Sequence, residues 1–176
     1  MGEASYYLLA TFNSKEKAHK AYLCAKVILK DLAEFQKDWQ KIRNKKGTAK
    51  EKFQKLLKRH PLVAKFVDLP EPPENDPAMN FLAGHCEITK EMELRYEGKQ
   101  IKLFDVVWHC ADWDNIGRLF YKLGASRVAW VSEEAIDPFE LLEDHYEQEN
   151  DVDELPEEVI RQELLPKALA NEFFGG

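Results

Sequence analysis

Two histidine–cysteine dipeptides are the residues in this chain whose types and spacing suggest chemistry. His85-Cys86 lies on one predicted β-strand. His109-Cys110 lies on the next strand, directly opposite in the predicted hairpin. Histidine nitrogens and cysteine thiolates are typical zinc ligands, and Asp112 adds a carboxylate nearby. A closed zinc site needs four ligands, and strand alternation sends only half of each dipeptide to a given face. We therefore expect no bound metal, and these five residues are the candidate ligands if one binds.

A catalytic site built on the same residues is the alternative. A cysteine beside a histidine can act as nucleophile and base, but such a site also needs an oxyanion-binding group and a group that orients the base. The sequence contains no glycine-rich phosphate loop, nucleophile elbow or HExxH metal motif. We therefore expect no catalytic residues and no cofactor. A small-molecule pocket or enzyme site near His85, His109 and Asp112 is the alternative function.

The stretch 81–110 that carries these dipeptides is predicted to form one long β-hairpin. Apolar residues recur on both sides of a glycine, which is a strong signal for a hairpin turn. We place the turn at Glu97 and Gly98, and this choice fixes the cross-strand register. The predicted pairs are Leu94–Ile101, Met92–Leu103, Lys90–Asp105 and Ile88–Val107.

Hydrophobic periodicity predicts the remaining elements. A first strand is apolar on both faces, and a long helix then carries eight apolar residues at alternating spacings of three and four. Asn13 is predicted to cap this helix, and Thr48 with Glu51 forms a capping box for the next one. Gly124 ends a short helix before the last strand. The predicted ranges are strand 6–12, helix 14–43, a helical hairpin within 44–68, a helix through 116–123 and strand 127–131.

The order of these elements defines the expected fold class. Strand, helix, strand, strand, helix, strand is the ferredoxin-like plan, an antiparallel sheet with both helices on one face. We expect this α+β domain over 1–132, with the helical hairpin 44–68 as an insertion and the proline-rich stretch 69–78 as a connector. Residues 133–176 are expected to form an acidic helical extension that packs on the same domain. Its predicted helices are 138–147 and a second one from Glu157.

Charge is divided unevenly along the chain. Residues 1–65 carry a net charge of +10 and residues 66–176 carry −17, within a total of −7. Thirteen acidic and no basic residues lie in 133–158, which we call the acidic tail. Such asymmetry is more typical of an interaction surface than of a catalytic site. A basic helical arm is the candidate surface, and its predicted binding residues are Lys41, Arg43, Lys45, Lys46, Lys50, Lys52, Lys55 and Arg59.

The sheet offers a second candidate surface. Ferredoxin-like RNA-binding proteins stack bases on aromatic residues of their central strands. Phe104 and Trp108 share one side of the third strand, and Trp130 on the last strand is predicted to join them. The third strand lacks the glycines and the leading basic residue of the RNA-binding motif, so this chain resembles those proteins in plan alone. The expectation that we prefer is that the C-terminal helix or a second copy of the chain covers this face.

These features together predict an interaction module. We expect a non-catalytic protein that binds a protein or a nucleic acid through the basic arm and the acidic tail, with the sheet face as a candidate homodimer interface. Three cysteines without CxxC spacing are typical of reduced thiols, so we expect a cytoplasmic protein. No apolar run approaches the ~18 residues that span a bilayer, so we expect no membrane contact.

Overall fold

The structure is a computed structural model that describes residues 6–42, 45–69, 88–106, 113–132 and 145–175. The C-terminal helix runs through three consecutive segments, of which the middle one is π-helical. The elements are, in chain order, β1 (Tyr6–Thr11), α1 (Lys15–Ile42), α2 (Ala49–Arg59), α3 (Pro61–Phe66), β2 (Ile88–Glu97), β3 (Gln100–Val106), α4 (Trp113–Lys122), β4 (Arg127–Ser132), β5 (His145–Gln148), α5 (Glu157–Val159), the π-helical segment (Ile160–Leu164) and α6 (Leu165–Gly175).

The chain has an α+β fold built on an open antiparallel sheet, which confirms the predicted class. In the described part of the chain the sheet has five strands in the order β2-β3-β1-β4-β5, and each neighbouring pair is antiparallel. The central strand β1 is apolar on both sides. Its Leu8 and Ala10 face the main core, whereas Leu9 faces the opposite side of the sheet. The main core lies between the first of these faces and helices α1 and α4.

A fifth strand is the main departure from the predicted plan. The sequence predicts a helix over 138–147, whereas His145–Gln148 form β5 beside β4. The helix prediction is therefore wrong for 145–147. Without β5 the strand β4 would be an edge strand with unpaired backbone groups, and the tail segment supplies their partners. Local composition did not reveal this tertiary pairing, and residues 138–144 lie outside the described part of the chain.

Helix α1 has the apolar stripe that its periodicity predicts. The small residues Ala18, Ala21 and Ala25 are buried in its first half, which lets the helix lie close to the sheet, while larger side chains fill the second half. The cap differs by one residue from the prediction. The Ser14 hydroxyl, rather than Asn13, accepts a hydrogen bond from the Lys17 backbone N–H at 3.1 Å.

Helices α2 and α3 pack against the second half of α1, in the region where a helical hairpin was predicted. The predicted cap of α2 is present, because the Thr48 hydroxyl accepts a hydrogen bond from the Glu51 N–H at 3.1 Å. The ring of Phe35 on α1 meets the ring of Phe53 on α2 edge to face, with centroids 6.0 Å apart. These contacts fix the orientation of α2, and therefore which of its sides faces solvent.

The predicted hairpin is present, but its register is shifted. The turn consists of Gly98 and Lys99, and Gly98 takes a φ of +58°, which glycine adopts readily at the first position of a two-residue hairpin turn. Leu94 consequently pairs with Leu103 instead of Ile101. A shift of two residues keeps each side chain on its predicted face of the sheet. The prediction of which residues face the core is therefore unaffected by the shift.

Nearer the start of β2 the register changes again. Ile88 pairs with Val106 rather than Val107, and the four residues between Ile88 and Glu93 oppose one residue of β3. Lys90 lies in this irregular stretch, so the predicted regular ladder through Lys90 and Asp105 is not formed there. An irregularity of this size cannot be read from alternation of apolar residues.

The C-terminal helix packs against α1, on the helical side of the sheet. The expectation that it covers the opposite face is therefore wrong. Within it, the Leu165 N–H donates to the Ile160 carbonyl five residues earlier. Leu169, which the apolar pattern places on the buried side, is 54% exposed. No helix among the described residues is both long and apolar enough to cross a membrane.

Candidate functional site

The outer half of α2 forms a basic surface together with the end of α1 and the loop between them. Buried Phe53 and Leu56 define the inner side of α2. The helical period of 3.6 residues turns Lys50, Lys55 and Lys58 away from that side. Because these side chains follow one helix and one adjoining loop, they form a continuous patch. We call this patch the basic surface, and its members, all exposed, are Lys41, Lys45, Lys46, Lys50, Lys55, Lys58 and Arg59.

No acid in the described part of the chain forms a salt bridge with a member of the basic surface, although exposed Glu51 lies beside Lys50 on α2. Lys52, which was predicted as a binding residue, does not belong to the surface. It is buried, and its ammonium group donates to the Lys45 carbonyl at 2.5 Å. Arg43 lies outside the described residues.

Four described carboxylates of the acidic tail form salt bridges with basic residues outside the basic surface. Lys17 meets Glu154 at 3.1 Å, and Arg118 meets Asp151 at 3.1 Å. The basic partners of the tail lie on α1, α4 and β4, so these carboxylates are held away from the basic surface. The other tail pairs are Lys20–Glu157 and Arg127–Glu147, and Lys65 pairs with Glu163 just beyond the tail. Residues 133–144 lie outside the described part of the chain.

A buried histidine holds the helices that carry the basic surface. His60 lies at the junction of α2 and α3, and its side chain is 6% exposed. Its Nδ1 is 2.8 Å from an oxygen of Asp31, and its Nε2 is 2.9 Å from an oxygen of Asp38. Ionised carboxylates only accept hydrogen bonds, so both contacts are satisfied together when both ring nitrogens carry a proton. The geometry is therefore that of an imidazolium between two aspartates.

Further contacts complete this clamp, which we define as His60 with Asp31 and Asp38. The second oxygen of Asp31 accepts a hydrogen bond from the Val63 N–H at 3.2 Å, which ties the first turn of α3 to α1. The ring of Phe35 meets the imidazole edge to face at 5.6 Å between centroids. The clamp thus joins α1, α2 and α3 at one point.

The pKa of His60 reflects two opposing causes. Burial lowers it, because a charged ring loses hydration in the interior. The hydrogen bonds to Asp31 and Asp38, with the negative charges of both groups, raise it by more. The net effect is a pKa above the ordinary value of 6.5.

Two residues of the clamp also belong to the group with metal-ligand chemistry that is found in the described part of the chain. One atom each from Asp31, Glu34 and His60 lie within 4.8 Å of one another. Both ring nitrogens already face carboxylates, so a cation must displace a proton from the ring before histidine can ligate it. The arrangement fits a proton better than a metal. The metal candidates from the sequence, His85, Cys86, His109, Cys110 and Asp112, all lie outside the described residues.

Sequence reasoning missed the clamp. Asp31 and Asp38 are seven residues apart and flank the apolar stripe of α1, but nothing local distinguishes them from other surface carboxylates. His60 stands between two helices, 22 residues or more from both partners. The sequence did contain one signal for the clamp. Asp31 and Asp38 are one heptad apart, and both lie beside buried positions of α1.

The second candidate surface, on the sheet, is not assembled as predicted. Phe104 stacks on Tyr7 with centroids 5.1 Å apart, and the Arg95 guanidinium lies 4.8 Å from the Phe104 centroid. Trp130 is fully buried in the core on the other side of the sheet, so the prediction that it joins Phe104 is wrong. The register places it opposite Leu8, a core residue. Trp108 lies outside the described residues.

This arrangement leaves little room for stacked bases. Phe104 already contacts an aromatic ring and a guanidinium. The centre of the same face is fully buried at Leu9, Ala129 and Val131. Stacking requires an accessible ring surface, so this face is a weak candidate for nucleic-acid recognition.

The cysteine that the structure describes is not a nucleophile. Cys24 is fully buried on α1. Burial raises its pKa to about 11, and the nearby Lys20 charge offsets this only in part. Its thiol therefore stays protonated near neutral pH, when nucleophilic catalysis needs a thiolate.

Comparison with protein-family models, with curated proteins and with solved structures finds no match for this chain.

Proposed function

We propose that this protein is a binding module that contacts the phosphate backbone of a nucleic acid through the basic surface. The observation that carries the proposal is the set of seven exposed basic side chains, none of which has an ion-pair partner among the described residues. Uncompensated lysines on one patch attract a polyanion and release its counterions on contact.

The shape of the surface suits a backbone better than a base sequence. Lys50 and Arg59 lie at opposite ends of α2, about 13 Å apart along the axis at a rise of about 1.5 Å per residue. Six of the seven members are lysines, which bind phosphate as flexible point charges. Sequence readout more often uses the planar fork of arginine or the amides of asparagine and glutamine. We therefore expect binding that depends little on base sequence.

The net charge of −7 opposes the approach of a polyanion. Binding therefore requires that the acidic tail lie apart from the basic surface. The ion pairs of Glu154 and Asp151 hold this part of the acidic tail against α1 and α4. That position supports the proposal, because it leaves the basic surface facing solvent. Contact is then local, and the affinity is expected to be weak at physiological salt.

We also propose that the sheet has a ferredoxin-like core. The order β2-β3-β1-β4 and the packing of α1 and α4 on one face support this reading. The strand β5 beside β4 departs from the four-stranded plan, and α2 with α3 extends the first crossover.

The proposal is tested by removing charge from the surface without changing the fold. We expect the triple variant Lys50→Gln, Lys55→Gln, Lys58→Gln to bind labelled single-stranded RNA more weakly than wild type in fluorescence anisotropy at low salt. The loss is roughly tenfold per lost phosphate contact near about 50 mM salt, from a salt slope of about −0.7 per phosphate. All three residues are exposed, so the variant should fold normally.

A matched control removes the same charge elsewhere. Lys15, Lys99 and Lys167 are also exposed lysines, and they lie at the start of α1, in the hairpin turn and on α6. Replacing them by glutamine should leave affinity nearly unchanged. Equal losses in the two variants, or no binding by wild type at low salt, would show that the basic surface does not bind nucleic acid.

A further inference from the structure

The clamp around His60 places one titratable ring between two carboxylates. His60 ends α2 and precedes α3, while its two partners Asp31 and Asp38 both lie on α1. We propose that the proton on His60 controls how firmly α2 and α3 are held against α1, and thereby regulates the basic surface. The regulatory step rests on the proposed function, whereas the clamp itself requires no ligand.

The two protonation states of His60 differ in the bonds they allow. The imidazolium donates one hydrogen bond from each nitrogen, at 2.8 Å to Asp31 and at 2.9 Å to Asp38. A neutral imidazole keeps one N–H, so its other nitrogen presents a lone pair to a carboxylate. One of the two contacts then changes from an ionic hydrogen bond to a repulsion between acceptors. The clamp cannot stay closed on both sides.

The charges around His60 make this change larger. Asp31, Glu34 and Asp38 all come from α1, and none of them pairs with a lysine or arginine among the described residues. With His60 charged, these four groups carry a net charge of −2, and loss of the proton raises this to −3. From α3 the contact is the uncharged Val63 N–H on Asp31. No charged side chain of α2 or α3 bonds to the clamp in the described part of the chain.

The clamp acts on the basic surface through the interface between α2 and α1, where Phe53 and Leu56 of α2 are also buried. The Phe35–Phe53 pair lies beside the clamp, and Phe35 also touches the His60 ring. A loss of the ionic bonds therefore weakens the whole contact region and favours local opening of α2 and α3. When α2 opens, its lysines no longer form a fixed patch. RNA binding then has to provide the free energy that orders α2, so the affinity falls.

The two protonation states of His60 set the direction in which hydrogen exchange and RNA affinity change with pH. At low pH the clamp is closed and the basic surface is ordered. At high pH the clamp opens, α2 and α3 exchange amide hydrogens faster, and affinity for RNA falls. The change belongs to His60 and disappears when the clamp has been removed by mutation.

The test measures hydrogen exchange by mass spectrometry on the full chain between about pH 5.5 and pH 9, in the absence of ligand. Exchange in α2 and α3 is expressed relative to β1 in the same sample, because this ratio removes the direct effect of pH on exchange chemistry. We expect the ratio to rise with pH in wild type. In Asp38→Asn we expect it to be high already at low pH and nearly independent of pH. Nitrogen NMR of the imidazole rings, with exposed His19 as an internal reference, reports how many ring nitrogens of His60 carry protons.

Each outcome has a distinct meaning. Equal protection of α2 and α3 across the range, or a His60 ring with a single proton at about pH 6, would overturn the proposal. Protection that appears only with added Zn²⁺ and is lost in Glu34→Gln would also overturn it, because a metal would then hold the clamp. RNA affinity is measured separately at constant ionic strength. If the clamp opens with pH while no RNA binds at any pH, the clamp stands and the proposed function fails.

Discussion

At the scale of single residues, the buried His60 joins three helices through hydrogen bonds to two carboxylates. A buried charge is costly unless it is paired and hydrogen-bonded, and both ring nitrogens of His60 meet this condition through Asp31 and Asp38. Breaking such a pair leaves the remaining charge without its partner. The free energy of unfolding therefore depends on these three residues more than on the exposed salt bridges of the tail.

The global stability of the protein should fall as pH rises above neutral. The pKa of His60 is raised above 6.5 in the folded state, so folding binds this proton more tightly than the unfolded chain does. Its stabilising contribution is complete below pH 6.5 and is lost as pH passes through the raised pKa. Urea unfolding at closely spaced pH values measures this decline.

Asp31→Asn should remove most of that contribution. The carboxylate accepts bonds from His60 and from Val63, so the substitution is expected to cost about 2–3 kcal/mol near pH 6 and less at high pH. The control is Asp153→Asn, which alters an exposed acid of the tail and should leave stability nearly unchanged. A flat pH profile for wild type, with a variant of equal stability, would contradict the ionic clamp.

At the scale of elements, the sheet depends on how the tail strand β5 attaches to β4. The Tyr121 hydroxyl on α4 donates to the Gln148 carbonyl at 2.7 Å and accepts from the Val128 N–H at 3.1 Å. One buried hydroxyl therefore links α4, β4 and β5. The sequence offers no reason to expect β5 from this contact. A tyrosine such as Tyr121 within a helix is typical of a core residue, and it does not indicate a further strand.

Removing that hydroxyl should loosen β5. Tyr121→Phe leaves the Val128 N–H and the Gln148 carbonyl without this partner, and an unpaired buried polar group costs about 1–3 kcal/mol. Thermal unfolding followed by circular dichroism should show a lower Tm. Tyr146→Phe is the matched control, since the Tyr146 side chain is 52% exposed on β5 itself and should tolerate the change. Equal Tm values for the two variants would contradict this role of Tyr121.

Elements were predictable from the sequence to the extent that local signals determine them. The stripe of α1, the cap at Thr48 and the existence of the β2–β3 hairpin follow from periodicity and turn chemistry. The register does not, since Gly98 suits either position of a two-residue turn when it takes a positive φ. Pairings between distant segments, such as β4 with β5, depend on which edges remain free and have no local signal.

At the scale of the whole molecule, separation of charge is the organising feature. The basic surface faces solvent, while four described tail carboxylates bind lysines and arginines of α1, α4 and β4. The sequence shows the two blocks of charge but not which partners the acids find. The structure pairs four tail acids with residues outside the basic surface, because the tail strand and the C-terminal helix place them beside the sheet and α1.

The most direct measurement of the central claim is the salt dependence of binding to single-stranded RNA. If lysines of the basic surface contact phosphates, the logarithm of the binding constant falls linearly with the logarithm of salt concentration, by about 0.7 for each phosphate contacted. Replacing Lys50, Lys55 and Lys58 by glutamine should reduce the steepness of that line by about 2, whereas the control triple at Lys15, Lys99 and Lys167 should leave it unchanged. Parallel lines for wild type and the Lys50, Lys55, Lys58 variant would contradict the claim that this surface binds the backbone.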